Sequence, residues 1–473
     1  MVQWAIAEGL RDNCPASPGR AWCLRNAGAD APDCFASLLF WMFFMCSPFS
    51  LAAGRSVAGL LVLSSVFSVH AAGFIEDSSA RLETRNVYFN RDFRDGHSTS
   101  SQGASKREEW AQGFILNIQS GYTEGPVGLG VDALGMLGVK LDSSPADSNS
   151  GLLPSSGQDA RRSVDQYAKL GAAAKLRISR TVIKYGSMMP DVPLLKYNDG
   201  RLLPTMFQGA MVTSEEWRNW KFSLARLDKY VARDSTDRQD IRVHCKNKRY
   251  ACGTTADHVD LAGLDYRFNE RVSAQYQVAK VENVYRQHFL GLVASQPLFV
   301  GSVTADLRLI KSDDIGNARA GDIDHRAFSG MLGYGLGGHK LSAGWQRMYG
   351  ESAMPYLDGS NPYLVNYAQV NDFAAAQERS WQLRYDYDFK GLGLPGLSFF
   401  TRYINGDHIK VPGSLAEGKE WERDSELRYQ VQSGTFKDVS VRLRNSTYRS
   451  NYEKWARDMD ETRVIVSYNF SVL

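Results

Sequence analysis

From residue 72 onward, apolar and polar side chains alternate in short segments. In Trp381–Phe389 the odd positions are Trp381, Leu383, Tyr385, Tyr387 and Phe389, and the even ones are Gln382, Arg384, Asp386 and Asp388. Successive side chains of a strand point to opposite faces, so this spacing predicts a strand with one oily and one charged face. Leu397–Ile404, Glu426–Gln432, Val439–Ser446 and Arg463–Phe470 repeat the pattern, with Arg402, Arg428, Arg442, Arg444 and Arg463 on the polar face. No segment after residue 72 approaches the ~20 continuous apolar residues of a membrane helix.

Alternation alone predicts a half-buried strand and leaves open which face is buried. In a soluble sandwich the apolar face meets a second sheet. Here Arg recurs at mid-strand while Tyr, Trp and Phe crowd the other face. That favours a closed barrel in lipid, with oil outside and charge inside. About eighteen such segments are readable, the first near 80–91 and the last over 461–473. Gly337-Gly338 and Phe268–Glu270 predict tight turns, whereas 142–164, 234–256 and 350–377 predict long loops. Short connections at one end and long ones at the other are the outer-membrane pattern. The expected fold class is all-β: a single transmembrane antiparallel β-barrel.

Composition refines this modestly. The 22 Tyr, 22 Phe and 42 Gly suit aromatic girdles and tight turns. A net charge of +3 gives no bulk cationic field for nucleic acid. Residues 1–71 are expected to be a targeting region and 72–473 the barrel. Arg55, the apolar run Val57–Val69 and a small residue at Ala71 match a secretory signal, with Ala72 the first mature residue. A retained membrane helix over 35–53 is the rival reading. Residues 1–50 lack the barrel pattern and suggest a start codon placed too early. Only Cys245 and Cys252 lie beyond the signal, both in one polar segment. In an exported protein this predicts a disulfide. Metal binding with His244 or His258 competes, although the cysteine spacing is not that of a zinc site.

Strand parity places further cations on the polar face. Arg91 and Arg107 oppose Tyr88 and Trp110, and Lys175 and Arg177 oppose Leu176 and Ile178. In a closed barrel the last strand sits beside the first, so these residues and Arg384, Arg402, Arg428, Arg442, Arg444 and Arg463 form one basic strip. A guanidinium is always charged and offers a fork that fits a carboxylate. A row of them can hand an anion along, provided each site binds weakly enough to release it. The competing reading is that lumen acids such as Glu83, Glu109, Asp386 and Glu426 simply pair with them. The strip is favoured on the expectation that such acids are fewer on the late strands.

These residues sit within motifs that resemble the OprD family of substrate-specific outer-membrane porins. The motifs include Gly73–Ser79, Arg85–Asp92, Trp110–Phe114, Gly128–Ala133, Val284–Gln287, Ala320–Ile323, Arg379–Asp386, Arg402–Gly406, Val431–Gly434, Arg442–Asn445 and Asp460–Val466. The resemblance covers nearly all of 73–473. It implies an 18-stranded barrel, monomeric or weakly trimeric, in the bacterial outer membrane. Long external loops would fold into the lumen to form an eyelet facing a basic ladder. Arg91, Arg107, Arg428, Arg442, Arg444 and Arg463 match ladder positions; Arg384 and Arg402 fit by parity. The inward loops correspond to 187–206 and 350–377, with Asp372 at an acidic eyelet position and Tyr356 at a tyrosine one. Asn361 and Val370 stand where the basic-amino-acid branch would show Asp and Tyr. Asp358–Asp372 and Gly418–Arg423 look more like the branch that takes up benzoate- or vanillate-like acids.

The expected function is selective passive uptake of small carboxylates, with outer-membrane lipid and the solute as partners, no nucleic acid and no cofactor. A basic-amino-acid porin or a broad anion-leaning pore is the alternative. A membrane hydrolase is a distant one: His288, His325 and His339 could serve a triad, but nothing places a Ser and an acid beside any of them. A soluble β-sandwich binder is equally distant.

Overall fold

The computed structural model describes residues 72–94, 104–159, 161–411, 413–452 and 456–473. The readings made for 1–71 therefore lie outside the described residues. A short helix, α1 (Ala72–Glu76), leads into the first strand. The strands are β1 (Ser79–Phe93), β2 (Lys106–Gln119), β3 (Val127–Ser143), β4 (Gln166–Ile178), β5 (Thr181–Met188), β6 (Met206–Ser214), β7 (Trp220–Val231), β8 (Gln239–Arg242), β9 (Thr255–Ala256) and β10 (Val259–Asn269). They continue with β11 (Val272–Val281), β12 (Tyr285–Leu298), β13 (Gly301–Asp314), β14 (Asp324–Leu336), β15 (His339–Tyr349), β16 (Arg379–Asp388), β17 (Leu397–Lys410), β18 (Glu417–Gln430), β19 (Ser440–Ser450) and β20 (Met459–Ser471).

Every pairing is antiparallel between neighbours, and β7 pairs with β10 across β8 and β9, which belong to a loop. β1 pairs with both β2 and β20, Tyr88 facing Trp110 on one side and Val464 on the other. The sheet thus closes into an 18-stranded barrel with no free edge, which satisfies every strand's backbone without water. All eighteen segments expected from alternation are present. Tight turns such as 179–180, 270–271, 299–300 and 337–338 mark one end; 144–165, 189–205, 232–258 and 350–378 mark the other. The segregation has exceptions: 282–284 is short at the loop end, and 431–439 is long at the turn end.

Trp110, Leu170, Tyr276, Leu290, Leu309, Leu332, Trp345, Trp381 and Leu443 are exposed on the outer face, as a lipid-facing surface requires. The inner face departs from a simple charged lining. Val87, Phe89, Ala111 and Ile115 point inward and are buried against Leu202 and Leu203, while Phe289 and Ile310 meet Leu194 and Leu195. The lumen is filled by loops 189–205 and 350–378, whose apolar side chains need apolar wall beneath them.

Candidate functional site: the lumen constriction

Loop 189–205 crosses the lumen, and loop 350–378 runs beside it. Asn198 N–H donates to Gly359 O (3.0 Å) and Asn361 N–H to Lys196 O (2.8 Å), so the two form a short antiparallel seam. Gly359, with φ +73°, permits it: a Cβ there would lie 2.7 Å from Thr205 Cγ2. A third segment joins in. His244 N–H donates to Tyr356 O (2.9 Å) and Asp358 N–H to Arg242 O (2.8 Å). Sequence pattern gave no sign that loop 232–258 would enter this junction. Cys245 and Cys252 are joined there by a disulfide.

The enclosed stretch supplies Arg249, whose Nη1 lies 2.8 Å from Asp372 Oδ2, and Lys246, at 3.6 Å from Asp372 Oδ1. Tyr356 Oη donates to Asp372 Oδ2 (2.9 Å). Burial alone would raise the Asp372 carboxyl, but Arg249 and Lys246 outweigh it and hold it below the usual carboxylate range. Burial and the same carboxylate push the Tyr356 phenol up. Asp372 is only 1 % exposed. Asp372 and Tyr356 thus fasten the loops to one another instead of lining the opening, as the resemblance had implied.

All ten expected cations sit on inner-face positions of the arc β16 to β20 and then β1 to β4, in which β3 alone carries none of them. Arg384 and Arg402 face each other across β16 and β17, Arg428 and Arg442 across β18 and β19, Arg444 and Arg463 across β19 and β20, and Arg91 and Arg107 across β1 and β2. The opposite wall is mostly neutral, with Gln277, Gln287, Ser312, Ser329, Ser342 and Gln346; its Arg308 is paired with Asp306 (2.6 Å), and Lys221, Asp265, Arg267 and Lys340 lie towards the turn end. The lumen is therefore electrically two-sided.

Most of the cations are paired. Arg463 Nε donates to Glu461 Oε1 (2.6 Å), Nη1 to Gly200 O (3.1 Å) and Nη2 to Gln369 O (3.4 Å), gripping both inward loops. Arg91 Nε meets the other oxygen of Glu461 (2.8 Å). Arg402 binds Asp424 (2.8 Å) and Tyr367 O (3.1 Å); Arg384 binds Asp386 (2.9 Å); Arg444 pairs with Glu426; Lys175 pairs with Asp132 (2.7 Å). Arg107, Arg177, Arg428 and Arg442 have no ion pair among the described residues. Arg107 stands over Phe93 and Arg177 over Tyr122.

The expectation that late-strand acids are few is incorrect. β18 turns Glu420, Glu422, Asp424 and Glu426 inward, and β20 adds Glu461. All but Glu426, which pairs with Arg444, are occupied by the loop: Glu420 accepts from the Asn371 amide, Glu422 from the N–H groups of Val370 and Asn371 (2.8 Å each), Asp424 from that of Gln369 (3.2 Å), and Glu461 from the Gln369 amide (3.0 Å). Other residues escaped the sequence reading. Arg85 projects inward to Asp199 (2.6 Å) and Arg201 O (3.1 Å), and Lys169 Nζ caps Pro204 O and Ala232 O. Arg85, Glu461 and Lys169 share parity with residues that were found, so the signal was present. Arg201 had none, being in a loop. Its guanidinium lies over Phe89, as do those of Arg91 and Arg463, at 5.1, 5.4 and 5.3 Å. Burial, with Arg463 and Arg233 close by, pulls Arg201 well below its ordinary value.

Residues 72–472 match the family described as outer membrane porin, OprD family. The chain is 38% identical over 405 residues to Porin-like protein GalP of Pseudomonas putida, covering 85% of this chain and 94% of that one. Among solved structures it is similar to OccK9 (OpdG) of Pseudomonas aeruginosa, with 44% identity, a TM-score of 0.80, and coverage of 85% of this chain and 100% of that one. It is also similar to OpdK of the same organism, solved with vanillate, with 42% identity, a TM-score of 0.78, and coverage of 84% and 100%. A closed 18-stranded barrel with loops folded into a lumen and a match over nearly all of it have one consequence: this chain is a substrate-specific, non-enzymatic channel of the bacterial outer membrane and belongs to the OprD family of porins.

Proposed function

We propose that this channel selects small monocarboxylates, with aromatic acids such as benzoate or vanillate favoured. The observation that carries the reading is the concentration of guanidinium groups on one wall, against an opposite wall that is mostly neutral and whose Arg308 is paired with Asp306. An anion entering past Arg107 passes the constriction that Arg463 holds in shape and then meets Arg442 and Arg428 near the turn end, which have no ion pair among the described residues. Each guanidinium can be exchanged for the next without leaving a carboxylate unpaired. Arginine–aromatic neighbours, such as Arg384 over Phe400 at 4.2 Å, offer an aryl ring a stacking surface beside the charge. The vanillate in the related OpdK structure supports the same class. A basic-amino-acid preference is less favoured, because Glu422, Asp424 and Glu461 are already engaged by loop donors.

The test is liposome uptake with benzoate, vanillate, a short aliphatic carboxylate, arginine and a neutral sugar. Aromatic acids should enter fastest, by about tenfold over the sugar, if one charge-assisted contact worth ~1.4 kcal/mol distinguishes them. Equal rates for all five would refute the reading, and faster arginine would favour the basic-amino-acid alternative.

A second observation favours a weak homotrimer. Thr401, Ser425, Arg423, Asn445, Thr462, Asn86 and Gln112 form a polar patch on the outer face of β17 to β20, β1 and β2, linked by hydrogen bonds such as Arg423 to Asn445 (3.1 Å). An outward Arg at mid-strand is costly against lipid. A neighbouring copy would cover it. Arg423→Leu should shift cross-linked species toward monomer; an unchanged distribution would refute that role.

A further inference from the structure

The outer face of β11 to β16 carries cations of its own at the loop end. Lys280, Arg286, Lys311, Arg326, Arg347 and Arg379 all occupy outward positions of successive strands. Their registers place like charges opposite one another on one side, Lys280 facing Arg286, Lys311 facing Arg326 and Arg347 facing Arg379; across the other neighbouring strand Lys280 faces Asp260, Arg286 faces Asp313 and Arg379 faces Asp407. Like charges in that position destabilise a sheet. Lys311 has Asp313 at 3.1 Å, but the other five make no ion pair among the described residues. The far side of the barrel handles the same level differently. There Arg94 pairs with Asp92, Lys106 with Glu108, and Arg449 with Asp460.

Just below the cations is an apolar band, with Leu290, Leu309, Trp345 and Trp381 between 43 and 48 % exposed. A recess of about 570 Å³ opens in it, floored by Tyr276, Leu290, Leu309 and Phe328 and rimmed by Lys311 and Arg326. An amphiphile with acyl chains and an anionic head matches that order of apolar floor and basic rim.

We propose that this sector is a docking surface for the phosphate headgroups of an anionic outer-leaflet lipid. The loop end faces the cell exterior, so the belt lies at headgroup level of the outer leaflet. Phosphates bridging Lys280 with Arg286, and Lys311 with Arg326, turn two repulsive pairs into anion sites. Acyl chains fill the recess beneath. The sector is distinct from the polar patch of β17 to β2, so one lipid-facing side is built for lipid and the other for a copy of the chain.

The test uses the detergent-purified full chain, titrated with lipid A bearing two phosphates and with the same lipid after both are removed, and read by native mass spectrometry. The belt variant is Arg286→Ala/Arg326→Ala/Arg379→Ala; the control is Arg94→Ala/Lys106→Ala/Arg449→Ala. The belt variant should bind the phosphorylated lipid on the order of a hundredfold more weakly than the unaltered chain, and the control should bind it equally. The three proteins should not differ toward the dephosphorylated lipid. Unchanged binding by the belt variant, an equal loss in the control, or a gap that persists without phosphates would overturn the proposal. If the triple variant does not fold, Arg326→Ala alone should weaken binding about fivefold, and no weakening would be equally fatal.

Discussion

The basic wall divides at mid-height. Towards the loops, Arg463 and Arg402 each hold a carboxylate and at least one loop carbonyl. Towards the turns, Arg442 has no ion pair among the described residues and Arg428 reaches only Ser440 (3.3 Å) and Gln430 (3.5 Å). The residue type, the wall and the strand parity are the same, and the difference is the acid row of β18 and β20. Guanidinium groups saturated by protein hold the constriction's shape, whereas those left to water can exchange partners with a passing anion.

Glu461→Ala should give the largest effect. It leaves Arg91 and Arg463 facing each other beside Arg201, and loss of one partner from a buried ion network costs about 3–5 kcal/mol. The unfolding midpoint should fall, and single-channel conductance should rise as both loops loosen. An unaltered conductance would mean the loops do not depend on this acid.

Asp372→Asn comes next, with about 2–3 kcal/mol expected from weakening a charge-assisted network. It also carries a pH signature. The folded carboxyl titrates below its unfolded value, so its stabilisation is complete above the ordinary Asp value of about 4 and declines as pH falls towards the depressed one. The native channel should therefore grow noisier in acid, and the Asn variant should be noisy throughout and indifferent to this change. Quiet Asn channels would refute the anchoring role.

Arg428→Ala/Arg442→Ala should leave the unfolding midpoint within about 0.5 kcal/mol, as for exposed sites, and slow carboxylate flux about tenfold, the equivalent of ~1.4 kcal/mol. Neutral sugar flux should stay within about twofold. Equal loss for both solutes would abolish the distinction between the two halves. Cys245→Ser/Cys252→Ser is expected to have the smallest effect: more current noise from the Arg249 segment and unchanged ion selectivity. A change in selectivity would place that segment in the conduction path.

Much of the barrel is readable in sequence because a strand's period of two maps directly onto two solvents. Trp381–Phe389 states its faces without help from any other segment. The ten cations are readable for the same reason. Their partners were harder to see. Glu420 to Glu426 alternate as regularly as the arginines, yet their occupation by Gln369, Val370 and Asn371 is a contact between positions some fifty residues apart. The wall's apolar inner residues, Val87 and Phe89 among them, read as exceptions to the pattern until Leu202 and Leu203 are placed over them. Loop geometry has no period, so Arg201 and Arg249 left no trace.

The seam among Lys196–Asn198, Arg242–His244 and Tyr356–Asn361 has a practical consequence for anyone redesigning the pore. The three segments are tied by backbone hydrogen bonds through Tyr356–Asn361, so they behave as one interlocked plug. Grafting a single segment from another porin would strand donors on the two left behind. A transplant of permeation properties should move all three together, with Arg463 and Arg85 retained as the wall fittings that receive them.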